Sequence, residues 1–185
     1  MNNQVSEKPV VFRAPDVLAI LSGSKTQFRR VTKPEWEQSF SHAQFVWDKS
    51  TLPRCPYGYV GDRLWVKEVW KYYGGCEYQY QEMPSCVIYQ ASPTRSTDAP
   101  WKPASTMPRW ASRITLEITG VRVQRLSTVT IGDINGEGVN PLSGVGTKRV
   151  HRNSWDVFIK YWDKSNPKND CDSDPFVWAI TFKKV

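Results

Sequence analysis

Histidine and methionine are scarce, with two and three copies in 185 residues, and the four cysteines (Cys55, Cys76, Cys86, Cys171) form no CxxC pair. That excludes a patterned zinc finger or redox dithiol, and a chain of this length needs no disulfide scaffold. Cys55, Cys76 and Cys86 with His42 or His151 would make four zinc ligands by type, but their spacing is irregular. No metal or cofactor is therefore expected. No run approaches the roughly 20 apolar residues of a membrane helix. Met1 to Pro9 is polar and lacks an apolar signal segment, so no membrane association and a cytoplasmic location are expected. The chain has no Walker phosphate loop, no HExxH and no GxSxG. The common motif-borne NTPase, zinc-protease and hydrolase classes thereby lose their support.

Hydrophobic residues make up 39% of the chain, charged residues 23% and aromatics 13%. This supports one globular domain over 1–185 with a core of useful size. The formal charge is +7, from 25 Lys and Arg against 18 Asp and Glu. Its distribution matters more than its total. Lys8, Arg13, Lys25, Arg29, Arg30 and Lys33 face only Glu7 and Asp16 in the first 33 residues, and Arg109, Arg113, Arg122 and Arg125 face only Glu117. Basic clusters beside aromatics point to phosphate-bearing partners, because guanidinium and ammonium groups hold the backbone while rings stack on bases.

Periodicity then orders the elements. Val10 to Phe12 is a short apolar run, and Ala14-Pro15-Asp16 opens a helix whose apolar face is Val17, Leu18, Ile20 and Leu21, with Gly23 at its C-terminal cap. Ser24 to Arg30 follows as an exposed passage from loop to strand. Arg63 to Trp70 and Cys86 to Ala91 predict strands. Ala111 to Gln124 predicts the longest strand, bent at Thr119-Gly120. Thr130 caps a short helix through Gly138. Trp155, Phe158, Ile159 and Trp162 recur with helical spacing over 153–163. Phe176, Trp178, Ile180 and Phe182 alternate along a closing strand. These elements predict an α+β domain built as a small mixed barrel, closed by long-range strand pairing, with helices over its ends.

The segment Gly23-Ser24-Lys25-Thr26-Gln27-Phe28-Arg29-Arg30 resembles the G-x-K-T-x-T-x-R signature of ASCH domains, whose fold is a PUA-like barrel. Further blocks are similar to the phage and prophage branch of that family, among them Cys55-Pro56-Tyr57-Gly58, Gly61 to Glu68, Met107 to Ile114 and Gly136-Glu137-Gly138-Val139. The resemblance implies a PUA-like mixed β-barrel with flanking helices and two long insert loops, about 32–56 and 74–107. It also implies RNA or nucleotide recognition beside the barrel, in the cytoplasm of a bacterial host. In one branch it implies hydrolysis of acetylcytidine. The branch's proton-accepting lysine matches Lys25 and its proton-donating glutamate matches Glu137. The position of its threonine nucleophile is Phe28, leaving Thr26 as the nearest hydroxyl.

The expected ligand site is Lys25, Arg29 and Arg30 with Glu137, joined by Arg109, Trp110 and Arg113 for phosphates and a stacked base. Trp110 fits a core position equally well. Lys25 and Glu137 are either a general base and acid, which needs a lysine pKa lowered by desolvation, or a salt bridge at the barrel mouth. Three functions stay open. They are an RNA or modified-nucleotide binding module, an acylated-cytidine hydrolase or ribonuclease at the same cleft, and a phage interaction protein using the insert loops.

Overall fold

The computed structural model describes residues 5–33, 45–46, 55–73, 83–93, 97–139 and 147–185, apart from the side chains of 45–46 and 147–153. Among the described residues eight strands are formed: β1 (Glu7–Val11), β2 (Gln27–Val31), β3 (Phe45–Val46), β4 (Arg63–Lys67), β5 (Trp70–Tyr72), β6 (Val87–Tyr89), β7 (Thr115–Arg125) and β8 (Phe176–Lys184). Three α-helices accompany them among the same residues: α1 (Ala14–Leu21), α2 (Ile131–Gly136) and α3 (Thr147–Ser165). None of the described helices is long and apolar enough to cross a membrane.

One sheet runs β1-β4-β7-β8-β2, with β3 added to β7, and β5 with β6 forms a separate ribbon. β1 lies parallel to β4, and the other pairings are antiparallel. The long pair β7 and β8 is its spine. Its register slips between Ile118 and Gly120, at the bend that Thr119-Gly120 predicts. On β8 the alternation of Phe176, Trp178, Ile180 and Phe182 fills one face, and Val177 and Ala179 are buried on the other.

The sheet curls round a core in which Phe12, Phe28, Leu64, Leu116, Ile118, Trp178 and Ile180 meet, yet no backbone ladder joins β1 to β2 among the described residues. The expected barrel is therefore not closed. Side chains fill the seam instead: the rings of Phe12 and Phe28 stand edge to face with centroids 5.3 Å apart, and Arg30 Nη2 donates to the carbonyl of Val11. Pro9 on β1 lacks an N–H, which suits a strand at an edge.

Other expectations shift. The strand read from Arg63 to Trp70 is two, divided at Glu68, whose buried carboxylate takes the guanidinium of Arg113. The long strand begins at Thr115, because Arg109–Ala111 turns as a 3-10 helix. The helix read from 153 to 163 extends over Thr147–Ser165. Of the two expected insert loops, much of 32–56 lies outside the described residues, although Phe45–Val46 pairs with β7. The second holds β6 and two 3-10 turns, and Trp70 and Lys102 exchange backbone hydrogen bonds across it.

Candidate functional site

Gly23, at φ 78°, ends α1 and turns the chain toward β2. The next residues dock on the end of α2: the Thr26 N–H donates to the Gly136 carbonyl at 2.8 Å, and Lys25 and Glu137 form an isolated antiparallel bridge. Glycine is required beside it. A Cβ on Gly138, whose φ is 69°, would lie 3.0 Å from the Cβ atoms of both Ala19 and Lys25.

Strand alternation then sends Gln27 and Arg29 to the side of α2, and Phe28 to the core against Phe12, Tyr57 and Phe182. Lys25, Arg29 and Glu137 are all buried, at 2%, 3% and 4% exposure. Ions so far from water persist only when paired. Lys25 Nζ donates to the Glu137 carboxylate at 2.9 Å and to its backbone carbonyl at 2.7 Å, with Asp16 Oδ1 at 3.4 Å. Arg29 Nη1 holds the other Glu137 oxygen at 2.8 Å, and its Nη2 lies 3.2 Å from Asp133 Oδ1. Asp133 also accepts from Gln27 and Arg122 while closing the capping box with Thr130. On the far side, the Tyr161 hydroxyl of α3 donates to Asp16 at 2.8 Å. Three cations (Lys25, Arg29, Arg122) and three carboxylates (Asp16, Asp133, Glu137) thus form one neutral network tying β2, α1, α2, α3 and β7 together.

Proton affinities follow from this packing. Burial alone lowers the pKa of Lys25, but Glu137, Tyr161 and Asp16 act against it, and the result lies above the ordinary lysine value. Lys25 is a held ammonium, the reverse of the lowered lysine that base catalysis asks for. Burial pushes Asp133 up; the Thr130 N–H, Gln27 and the Arg29 charge outweigh it and hold the carboxyl well below its usual range. Burial raises Tyr161.

Beside the network opens a cavity of about 390 Å³ lined by Arg13, Asp16, Arg29, Arg30, Glu137 and Tyr161, with Val11 at its edge. Its volume falls in the usual range for small-molecule sites, roughly 300–1,000 Å³. Two further guanidiniums line it. Arg30 lies over the Phe12 and Phe28 rings and donates to the carbonyls of Arg29 and Val11. Arg13 donates to Ser165, lies over Tyr161 at 5.5 Å and stands 3.9 Å from the Asp16 carboxylate. With the floor neutral, these two arginines make the opening net positive.

Of the residues the sequence singles out, Lys25, Arg29, Arg30 and Glu137 come together. Thr26 is exposed, and neither it nor Phe28 lines the cavity. Arg109, Trp110 and Arg113 do not line it either. Arg109 pairs with Glu7, Arg113 with Glu68, and Trp110 packs with Trp70 and Tyr72. His42 and His151 lie outside the residues whose side chains are described, as does Cys76. Among the described residues no group of three or more His, Cys, Asp or Glu side chains is arranged to hold a metal. Sequence reasoning missed Asp16, Asp133 and Tyr161 as site residues. Thr130 and Asp133 carry the spacing of a capping box, which was a usable signal; Asp16 and Tyr161 carry none, because they meet only in three dimensions.

No family model matches the chain, and no curated protein matches it. Among solved structures it is similar to an ASCH domain from Lactobacillus crispatus JV V101, at 12% identity over 97% of this chain and 79% of that one, with a TM-score of 0.43. It is also similar to a protein from Enterococcus faecalis V583, at 9% identity over 100% of this chain and 83% of that one, with a TM-score of 0.44. Likenesses at this level carry nothing about function, which rests on this chain's own residues.

Proposed function

We propose that the chain is a binding module for a nucleotide, free, modified or within RNA, taken into the cavity between β2, α1 and α3. The observation that carries this reading is the cavity's construction: the buried ionic cluster of Lys25, Glu137 and Arg29 lies beneath an opening that carries Arg13 and Arg30. A phosphate suits the guanidiniums of Arg13 and Arg30. The Tyr161 ring and the carboxylates of Asp16 and Glu137 offer a face and acceptors to a base. The pairing of Lys25 and its raised pKa favour binding over hydrolysis at the same cleft. The test is a calorimetric titration with nucleoside 5′-monophosphates. Saturable one-to-one binding is expected, and flat titrations with all four ribonucleotides overturn the reading.

A further inference from the structure

The outer face of the β1–β4 pair leads away from this cavity. Burial alternates along both strands: Leu64 and Val66 face the core, while Arg63, Trp65 and Lys67 face outward, as do Glu7, Pro9 and Val11. In the parallel register Val11 stands beside Lys67 and Pro9 beside Trp65. Val11 also lines the cavity, and its carbonyl holds Arg30. The cavity edge, Lys67 and the half-buried Trp65 ring are therefore neighbours on one continuous surface. Adjacent strands are about 5 Å apart and two residues along a strand about 7 Å.

The chemistry of that surface is that of a stacking platform. The Trp65 indole carries Lys67 Nζ at 5.4 Å and the Arg109 guanidinium at 6.0 Å from its ring centre. Arg63, Lys67, Arg109 and Lys183 face Glu7 and Glu117, and both carboxylates are matched, by Arg109 at 3.0 Å and Lys183 at 2.9 Å. The surplus is positive and continues that of Arg13 and Arg30. A half-exposed aromatic ring among cations, beside a pocket with a positive opening, suits a single strand whose phosphates follow the cations and whose bases find a ring.

We infer that the occupant of the cavity is one nucleotide of a single-stranded nucleic acid whose neighbouring segment crosses Val11 and stacks a base on Trp65. This rests on the cavity reading above and narrows it, from a nucleotide in any form to one within a single strand that also engages Trp65. Arg109 enters here as a cation beside Trp65, remote from the cavity itself.

The experiment compares cytidine 5′-monophosphate with a ten-nucleotide single-stranded RNA of mixed sequence, against the parent protein, Trp65→Ala and Trp65→Phe. The RNA is expected to bind about tenfold or more tighter than the mononucleotide, and Trp65→Ala to lose about that factor for RNA alone, the magnitude of one base–aromatic stack. Trp65→Phe keeps a ring and most of the affinity. RNA that binds no tighter than the mononucleotide, or a Trp65→Ala variant that weakens both ligands equally, overturns the inference and leaves the cavity reading standing. Failure of the mononucleotide and the RNA alike overturns both.

Discussion

Arg30 on β2 donates to the carbonyl of Val11 on β1 at 3.0 Å, across a seam of the curled sheet that no backbone ladder closes among the described residues. The guanidinium completes the wall where strand pairing stops, and it borders the cavity there. An open seam is thus a place where a ligand can reach the inside edge of the sheet without breaking a ladder. The ionic network beneath has a different role, holding the connections to β2 in position. Its members respond to substitution in distinct ways.

Lys25→Met leaves the Glu137 and Asp16 carboxylates buried without their shared cation. Removing one member of a buried pair typically costs about 3–5 kcal/mol, and urea unfolding should read a loss of that size. Adding Glu137→Gln to Lys25→Met should recover part of it. Additive losses in the double variant would mean that the two side chains are not energetically coupled. Because the folded pKa of Lys25 is raised, its contribution is complete below the unfolded value of 10.5 and is lost as pH rises through the folded one. Parent and Lys25→Met should therefore converge in stability only at strongly alkaline pH.

Phe28→Thr should yield no acetylcytidine hydrolysis, measured by chromatography with mass detection. The position faces the core, against Phe12, Tyr57 and Phe182, on the side of β2 opposite Gln27 and Arg29. The same variant should lose about 3–5 kcal/mol of stability, the usual cost of emptying a buried phenylalanine site. Turnover in a folded Phe28→Thr protein would show that the hydroxyl does reach the Lys25 and Glu137 pair.

Much of this was legible in the sequence, for identifiable reasons. Strong period-two alternation gave away β8, a glycine beside a threonine marked the bend of β7, and Thr130 announced α2. Lys25 and Arg29 stood out in a basic segment just past a helix end and Glu137 as an isolated carboxylate in a glycine-flanked turn, and the resemblance to the ASCH signature is what paired Lys25 with Glu137. What failed was the inference from proximity in composition. Arg109, Trp110 and Arg113 look like one binding cluster in the chain, but a 3-10 turn splits them among Glu7, an aromatic cluster and Glu68. Barrel closure failed because strand count and apolar pattern do not reveal whether the last edge is joined by a ladder or by side chains. Asp16 and Tyr161 meet across 145 positions, a separation no local pattern encodes.

Asp133 is expected to contribute to the acid limb of stability. Its folded pKa is depressed, so its contribution is complete above the unfolded value of 3.8 and is lost as pH falls below that toward the folded value. Asp133→Asn should lower stability at neutral pH and flatten the dependence below pH 4, followed by denaturant unfolding across pH 2 to 7. A variant with the parent's acid limb would assign that limb to other carboxylates.

In the proposed binding mode the arginines at the cavity opening hold a nucleotide's phosphate, and Lys25 does not act as a base. The most direct measurement is the affinity for a nucleoside 5′-monophosphate, as a function of salt, in the parent, Arg13→Gln and Arg30→Gln proteins. Each substitution is expected to weaken binding several-fold and to make its salt dependence shallower, as the loss of a phosphate contact does. Unchanged affinity and an unchanged salt slope in both variants would contradict it.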